Sequence, residues 1–295
     1  MIFPRTPMST ATFPTPLVST EWLAEHLDTP WVKVVDASTY LPTSGRDART
    51  EYLGRHIPGA VFCDMGWIHD ETAPYPHTLP TASVFATRMG SLGIGSDDAI
   101  VVYDASGQNF SAPRLWWMLK LFGHERVSVL DGGLGKWLGD GRAVDANVPT
   151  VMAVPFHARL DIARVRGIDA MRDNVDVQRE QVVDARSPGR FEGTEAEPRA
   201  GVRGGHIPHS VNVHYARLVR DDGTLRSNNE LRGLFADAGL DVTRPIVASC
   251  GTGVTACAVV LALDVLGAEN TAVYDGSWTE WGSTGDTPVA TGPAR

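Results

Sequence analysis

The chain has 295 residues, 43% hydrophobic and 21% charged, which excludes a disordered polymer and leaves room for two domains of ordinary size. Its 26 basic residues stand against 35 acidic ones, and the net charge of -9 argues against nucleic acid or an anionic membrane as the main partner. No run of about 18 apolar residues offers a membrane span, and Cys63, Cys250 and Cys257 are too few for a disulfide framework, so a reducing cytoplasm is the expected setting.

Before Leu17 the chain holds several prolines, one arginine and no apolar core, and it reads as a loose leader rather than a signal peptide. WVKVVDA, AIVVYDA and RVSVLDG then read as buried strands. APRLWWMLKLFG between the last two has helical spacing and stops on Gly123. Residues 141–166 lack apolar periodicity, include Pro149 and Pro155, and read as a linker. Beyond it QVVDA, RPIVASC and NTAVYDG take the strand roles, and VTACAVVLALDVLG reads as a helix ending at Gly267. Strands alternating with helices predict an α/β fold, each half a parallel sheet flanked by helices.

The second half repeats the first. VVDAS returns as VVDARS, GRHIPGAVFCD as GGHIPHSVNVH, and VSVLDGGLGKW as TAVYDGSWTEW. Val182 against Val34, His206 against His56 and Trp281 against Trp137 stand 148, 150 and 144 residues apart. The chain is a tandem duplication, with a first domain over 17–140 and a second over 167–288. The copies differ at one informative place, because IVVYDAS in the first faces IVASCGTGVTAC in the second. Asp104 stands where Cys250 stands, so one copy has kept a site that the other has lost.

In an open parallel sheet, ligands bind beyond the carboxyl ends of the strands. There, Gly251 and Gly253 let the backbone curl so that successive N–H groups point at one atom. Thr255 is placed to cap the following helix, whose positive end would face the sulfur. Both effects favour a thiolate at Cys250, the form that attacks as a nucleophile. The Thr252 hydroxyl can add a hydrogen bond to the sulfur or to a substrate. Cys257 and Cys63 read as packing residues, as do Trp137 and Trp281. His56 and His206 recur in both copies and read as structural.

CGTGVTAC at Cys250–Cys257, HIPGA at His56–Ala60, GRFEGTEAEPR at Gly189–Arg199 and DGSWTEWG at Asp275–Gly282 resemble the rhodanese superfamily, and within it the 3-mercaptopyruvate sulfurtransferases. The resemblance implies two tandem rhodanese-like domains, the amino-terminal one inactive, and a persulfide carried on Cys250. It implies that Arg190 and Arg199 bind the carboxylate and carbonyl of 3-mercaptopyruvate, with Gly251, Gly253, Val254 and Thr255 also lining the substrate. It further implies that pyruvate is released and that a thiol such as thioredoxin, or cyanide, takes the sulfur. The family's members need no cofactor or metal, and a monomer is implied.

His77 and Asp64 align with family positions near the cleft, where an acid two residues after Asp64 is replaced here by Gly66. Two other readings stay open. Thiosulfate could be the donor, although relatives specialised for it carry basic residues after the cysteine where this loop is neutral. A non-catalytic binding or sulfur-carrying module is the other, although such a module would normally have lost its cysteine or loop glycines.

Overall fold

The computed structural model describes residues 13–14, 16–40 and 44–294. The leader expected before Leu17 lies outside the described residues up to residue 12, and Phe13 already packs edge-on against Trp22.

Among the described residues each half builds one sheet of five strands, all parallel. The first contains β1 (Leu17–Val18), β2 (Val32–Asp36), β3 (Val61–Phe62), β4 (Ala99–Tyr103) and β5 (Val127–Leu130), in the order β1-β5-β4-β2-β3. The second contains β6 (Val165–Arg166), β7 (Gln181–Asp184), β8 (Ser210–Asn212), β9 (Ile246–Ser249) and β10 (Thr271–Tyr274), in the order β6-β10-β9-β7-β8. Exchanging each strand for its counterpart turns one order into the other, so the repeat in sequence is a repeat in topology. Every residue of β4 and β9 is buried, which is why these strands read as unbroken apolar runs. The sequence reading finds the six central strands and misses β1, β3, β6 and β8. Those have only two or three residues, too few to carry a period.

Ten helices cover the sheets among the described residues. The two central ones, α4 (Ala112–Leu121) and α9 (Ala256–Val265), pack against each other across the molecule. The side of α9 away from α4 lies on β9 and β10, so an apolar residue is favoured at nearly every position. One hydrophobic cluster consequently runs through both halves, from Val35 to Val273. Lys120 and Asp264 close the interface with an ion pair at 2.9 Å.

The expected linker is stitched to the first half. Val154 donates to Gly90 O at 3.0 Å, Arg159 to Phe122 O at 2.9 Å and Asp161 to Leu121 O at 2.8 Å. Phe156 drops into the core beside Phe85. The segment's last two residues are β6.

Candidate active site

Cys250 is the first residue beyond β9 and is almost fully buried. Its N–H donates to Ser277 Oγ at 3.2 Å, and Ser277 in turn donates to Tyr274 O. The start of α10 (Ser277–Ser283) holds the loop by its carbonyls, since Trp278 N–H donates to Cys250 O and Thr279 N–H to Gly251 O, both at 2.9 Å. Gly253 O accepts a bond from Arg114 Nη1 at 3.3 Å. In a trans peptide the N–H points opposite to the carbonyl of the same unit. Holding these three carbonyls therefore turns the N–H groups of Gly251, Thr252 and Val254 to the other side of the loop. No protein acceptor takes the N–H of any residue from 251 to 255 among the described residues. Orphan donors of this kind are a seat for an anion.

The first copy has the same frame and a plug in it. Leu134 N–H donates to Asp104 O at 3.0 Å, as Trp278 does to Cys250. The Asp104 carboxylate then folds back on its own loop. It accepts the N–H groups of Ser106, Ser111 and Ala112, each at 2.9 Å, and the Ser106 hydroxyl. The donors left open in the second copy are filled internally in the first.

Arg190 lies on the short helix α7 (Pro188–Glu192), and Glu197 grips it through Nη2 at 2.6 Å and Nε at 3.2 Å. Glu197 also accepts from Arg186 at 2.7 Å, and Arg186 makes a buried pair with Asp184 at the end of β7. This chain of alternating charges fixes the Arg190 guanidinium beside the loop, with its Nη2 3.1 Å from where a Cβ on Gly251 would stand. Arg199, half-buried, makes no hydrogen bond or ion pair among the described residues, so its charge is unspent. Tyr215 faces the same space. Burial, and after it the neighbouring Cys250, raise its phenol above the ordinary 10.

His77 comes from the other half of the chain. Its backbone is left-handed, at φ 62°, and its carbonyl accepts from Arg114 Nη2 at 2.7 Å. Burial, then the Arg114 and Arg199 cations, bring its pKa down to about 4. The imidazole is therefore neutral near pH 7, and among the described residues neither ring nitrogen makes a hydrogen bond. Asp64 is exposed, and its carboxylate accepts the Gly66 N–H at 2.8 Å rather than a bond from His77.

Of the remaining expected residues, Thr252 and Thr255 have unbonded hydroxyls, so Thr255 begins α9 without capping it through its side chain. Val254 is buried under the loop. Cys257 donates to Gly253 O at 3.3 Å, and burial pushes its thiol up to about 12. Cys63 is raised further, again chiefly by burial. His56 stacks on Tyr52 and His206 on Phe191, each with Nδ1 against the carbonyl of a residue in the preceding helix. Among the described residues no cluster of three or more His, Cys, Asp or Glu side chains is placed to hold a metal ion.

Sequence reading missed Arg114, Asp275, Ser277, Glu197 and Tyr215. One signal was available, since Arg114 is the only charged residue in the first seven of an otherwise apolar helix.

Fold and site together define a double parallel-sheet protein with one cysteine-centred anion seat. The rhodanese-like domain model matches residues 19–140 and again 168–284, and the chain belongs to that family. It is 46% identical over 270 residues to a 3-mercaptopyruvate sulfurtransferase of Mus musculus, covering 90% of this chain and 91% of that one. Against the Escherichia coli K12 enzyme of the same name it is 42% identical, covering 96% and 99%. A thiosulfate sulfurtransferase of Bos taurus is 43% identical, covering 90% and 91%. The crystal structure of the Escherichia coli 3-mercaptopyruvate sulfotransferase superposes with a TM-score of 0.82 at 39% identity, covering 90% of this chain and 99% of that one.

Proposed function

We propose that this chain is a 3-mercaptopyruvate sulfurtransferase working through a persulfide on Cys250. The observation that carries the reading is the open row of N–H donors around Cys250, faced by Arg190. In the first step the Cys250 thiolate attacks the sulfur of 3-mercaptopyruvate. An S–S bond forms, the C–S bond breaks, and its electron pair leaves on carbon as pyruvate enolate, which takes a proton to become pyruvate. In the second step an acceptor thiolate, or cyanide, attacks the outer sulfur and returns Cys250 as thiolate. Thioredoxin is an acceptor of the required kind.

The loop residues Gly251, Gly253, Val254 and Thr255 supply backbone donors to the transferring sulfur, and Thr252 adds its hydroxyl. Arg190 and Arg199 hold the carboxylate and carbonyl of the donor, where the planar fork of arginine suits two oxygens at once. His77, uncharged at neutral pH, carries the proton. Asp64 assists through space, since its charge raises the proton affinity of His77.

Identity alone does not choose between donors, because relatives of both names are about equally similar. Gly251 chooses: the space beside Cys250 is filled by Arg190 reaching over from α7, not by a basic side chain of the loop itself. Both halves of the site come from one chain, which supports a monomer. The three free thiols support a reducing cytoplasm, and no helix among the described residues is long and apolar enough to cross a membrane.

The test is pyruvate release from 3-mercaptopyruvate with a thiol acceptor, run beside thiocyanate formation from thiosulfate and cyanide. We expect kcat/KM at least about tenfold higher for mercaptopyruvate, about 1.4 kcal/mol in transition-state stabilisation. Cys250→Ser should abolish both activities. The Cys250 peptide of wild type should gain the mass of one sulfur atom when donor is supplied without acceptor. A preference for thiosulfate would overturn the donor assignment, and no mass gain would overturn the persulfide.

A further inference from the structure

The two halves touch through a contact that the duplication repeats, and its asymmetry marks a residue outside the machinery described so far. Asp275 Oδ2 accepts the N–H of Leu79 from the first half at 2.8 Å. In the opposite direction Asp131 Oδ1 accepts the N–H of Leu225 from the second half at 2.7 Å. Asp131 and Asp275 are counterparts in the repeated DGG and DGS turns. Each domain thus latches a strap of the other by one backbone amide.

Only one latch carries an arginine. Arg114, third in α4 and fully buried, donates to Asp275 Oδ1 at 2.8 Å and stacks over Trp117 with its Cζ 4.9 Å from the ring centre. Its counterpart on α9 is Ala258, so Asp131 has no such partner; burial, above all, raises its pKa. If a buried arginine were needed to join the halves, both latches would call for one. It stands only on the side where the cysteine has been kept.

Its other bonds say what it does there. Arg114 holds His77 O at 2.7 Å and Gly253 O at 3.3 Å. With Asp275 taking Leu79 N–H, the strap from 77 to 79 is pinned at both ends. One guanidinium thereby sets the loop behind Cys250 and the strap bearing His77 relative to each other. Holding the Gly253 carbonyl also faces the Val254 N–H toward the open side of the loop. The fit leaves no slack, since a Cβ on Gly253 would stand 2.9 Å from Asp275 O and 3.1 Å from Arg114 Nη1.

We infer that Arg114, with Asp275, is a positioning residue that sets the catalytic loop of one domain against the His77 strap of the other. This rests on the sulfurtransferase reading, and the test separates the two. Arg114→Ala copies the Asp131–Ala258 arrangement that the protein already tolerates in its other latch, so the variant is expected to fold. Four proteins are compared: wild type, Arg114→Ala, Arg114→Lys and, as a control on the other latch, Asp131→Asn. Four quantities are read: kcat and KM for 3-mercaptopyruvate, the rate of Cys250 alkylation by iodoacetamide at one fixed pH, and the urea midpoint.

Arg114→Ala should lower kcat at least tenfold with KM within threefold of wild type, and slow alkylation by at least threefold. Arg114→Lys should recover part of both losses, because it keeps the charge but not the fork. Asp131→Asn should shift the urea midpoint while kcat stays within twofold. Equal losses in Arg114→Ala and Asp131→Asn, or an unchanged alkylation rate in a folded Arg114→Ala, would overturn the inference. A wild type that turns over no mercaptopyruvate sinks the sulfurtransferase reading instead, and the alkylation rates still decide whether Arg114 positions the cysteine.

Discussion

The imidazole of His77 is largely desolvated and feels the cations of Arg114 and Arg199, and its behaviour with pH follows from that. Its pKa is about 4 in the folded chain, against an ordinary 6.5 once unfolded. Between those values the unfolded state binds a proton that the folded state refuses. The contribution to stability is therefore full above pH 6.5 and is lost as the pH falls toward about 4. His77→Asn tests this, because asparagine tolerates the left-handed backbone at this position and does not titrate. The difference in urea midpoint between wild type and His77→Asn should be flat above pH 6.5 and change steadily between 6.5 and 4.5. Other buried histidines cancel in that difference. A flat difference throughout would mean that His77 is solvated and free to protonate near neutrality.

At the scale of elements, α9 is the part of the chain that two layers share, so its stability belongs to apolar packing rather than to charge. Leu261 is 2% exposed within the core that joins the halves, and Leu261→Ala should cost about 2–5 kcal/mol. Lys120, paired with Asp264 at the rim of the same interface, should cost about 1 kcal/mol or less when changed to Met. Urea unfolding of the two variants checks the ranking, and a larger loss for Lys120→Met would mean that the ion pair holds the interface. The same division explains what the sequence made legible. The core of α9, the six central strands and the place of Cys250 all follow from local pattern or from comparing the copies. The edge strands are too short to show a period. Glu197 was visible as a letter in GRFEGTEAEPR, but its grip on Arg190 and Arg186 exists only once α7 folds over the following loop. Arg114, Asp275 and Ser277 meet Gly253 and Cys250 from far along the chain, and no local pattern encodes such a meeting.

On the scale of the whole molecule, the question is what keeps two duplicated domains in the one arrangement that builds a site between them. A tether alone gives proximity without orientation. Here the contacts across the interface do not pass through the tether. They include the α4–α9 core, the Lys120–Asp264 pair, the two aspartate latches, the Arg114–Asp275 pair and the Arg114–Gly253 bond. The connecting segment is bound along the first domain through Val154, Arg159 and Asp161 and ends as β6 in the second sheet, so beyond a cut made before Val154 it is one more non-covalent contact between the halves. Cutting it should then leave the assembly standing. A site-specific protease sequence placed between Val151 and Met152, which is 83% exposed, would allow the cut in the folded protein. We expect the two fragments to co-elute in gel filtration, to keep at least half of the mercaptopyruvate activity, and to part only in denaturant. Separation on cleavage, with loss of activity, would show that the covalent link holds the halves together. Separation with activity kept in the second fragment would show that His77 and Arg114 are dispensable, against both proposals made for them.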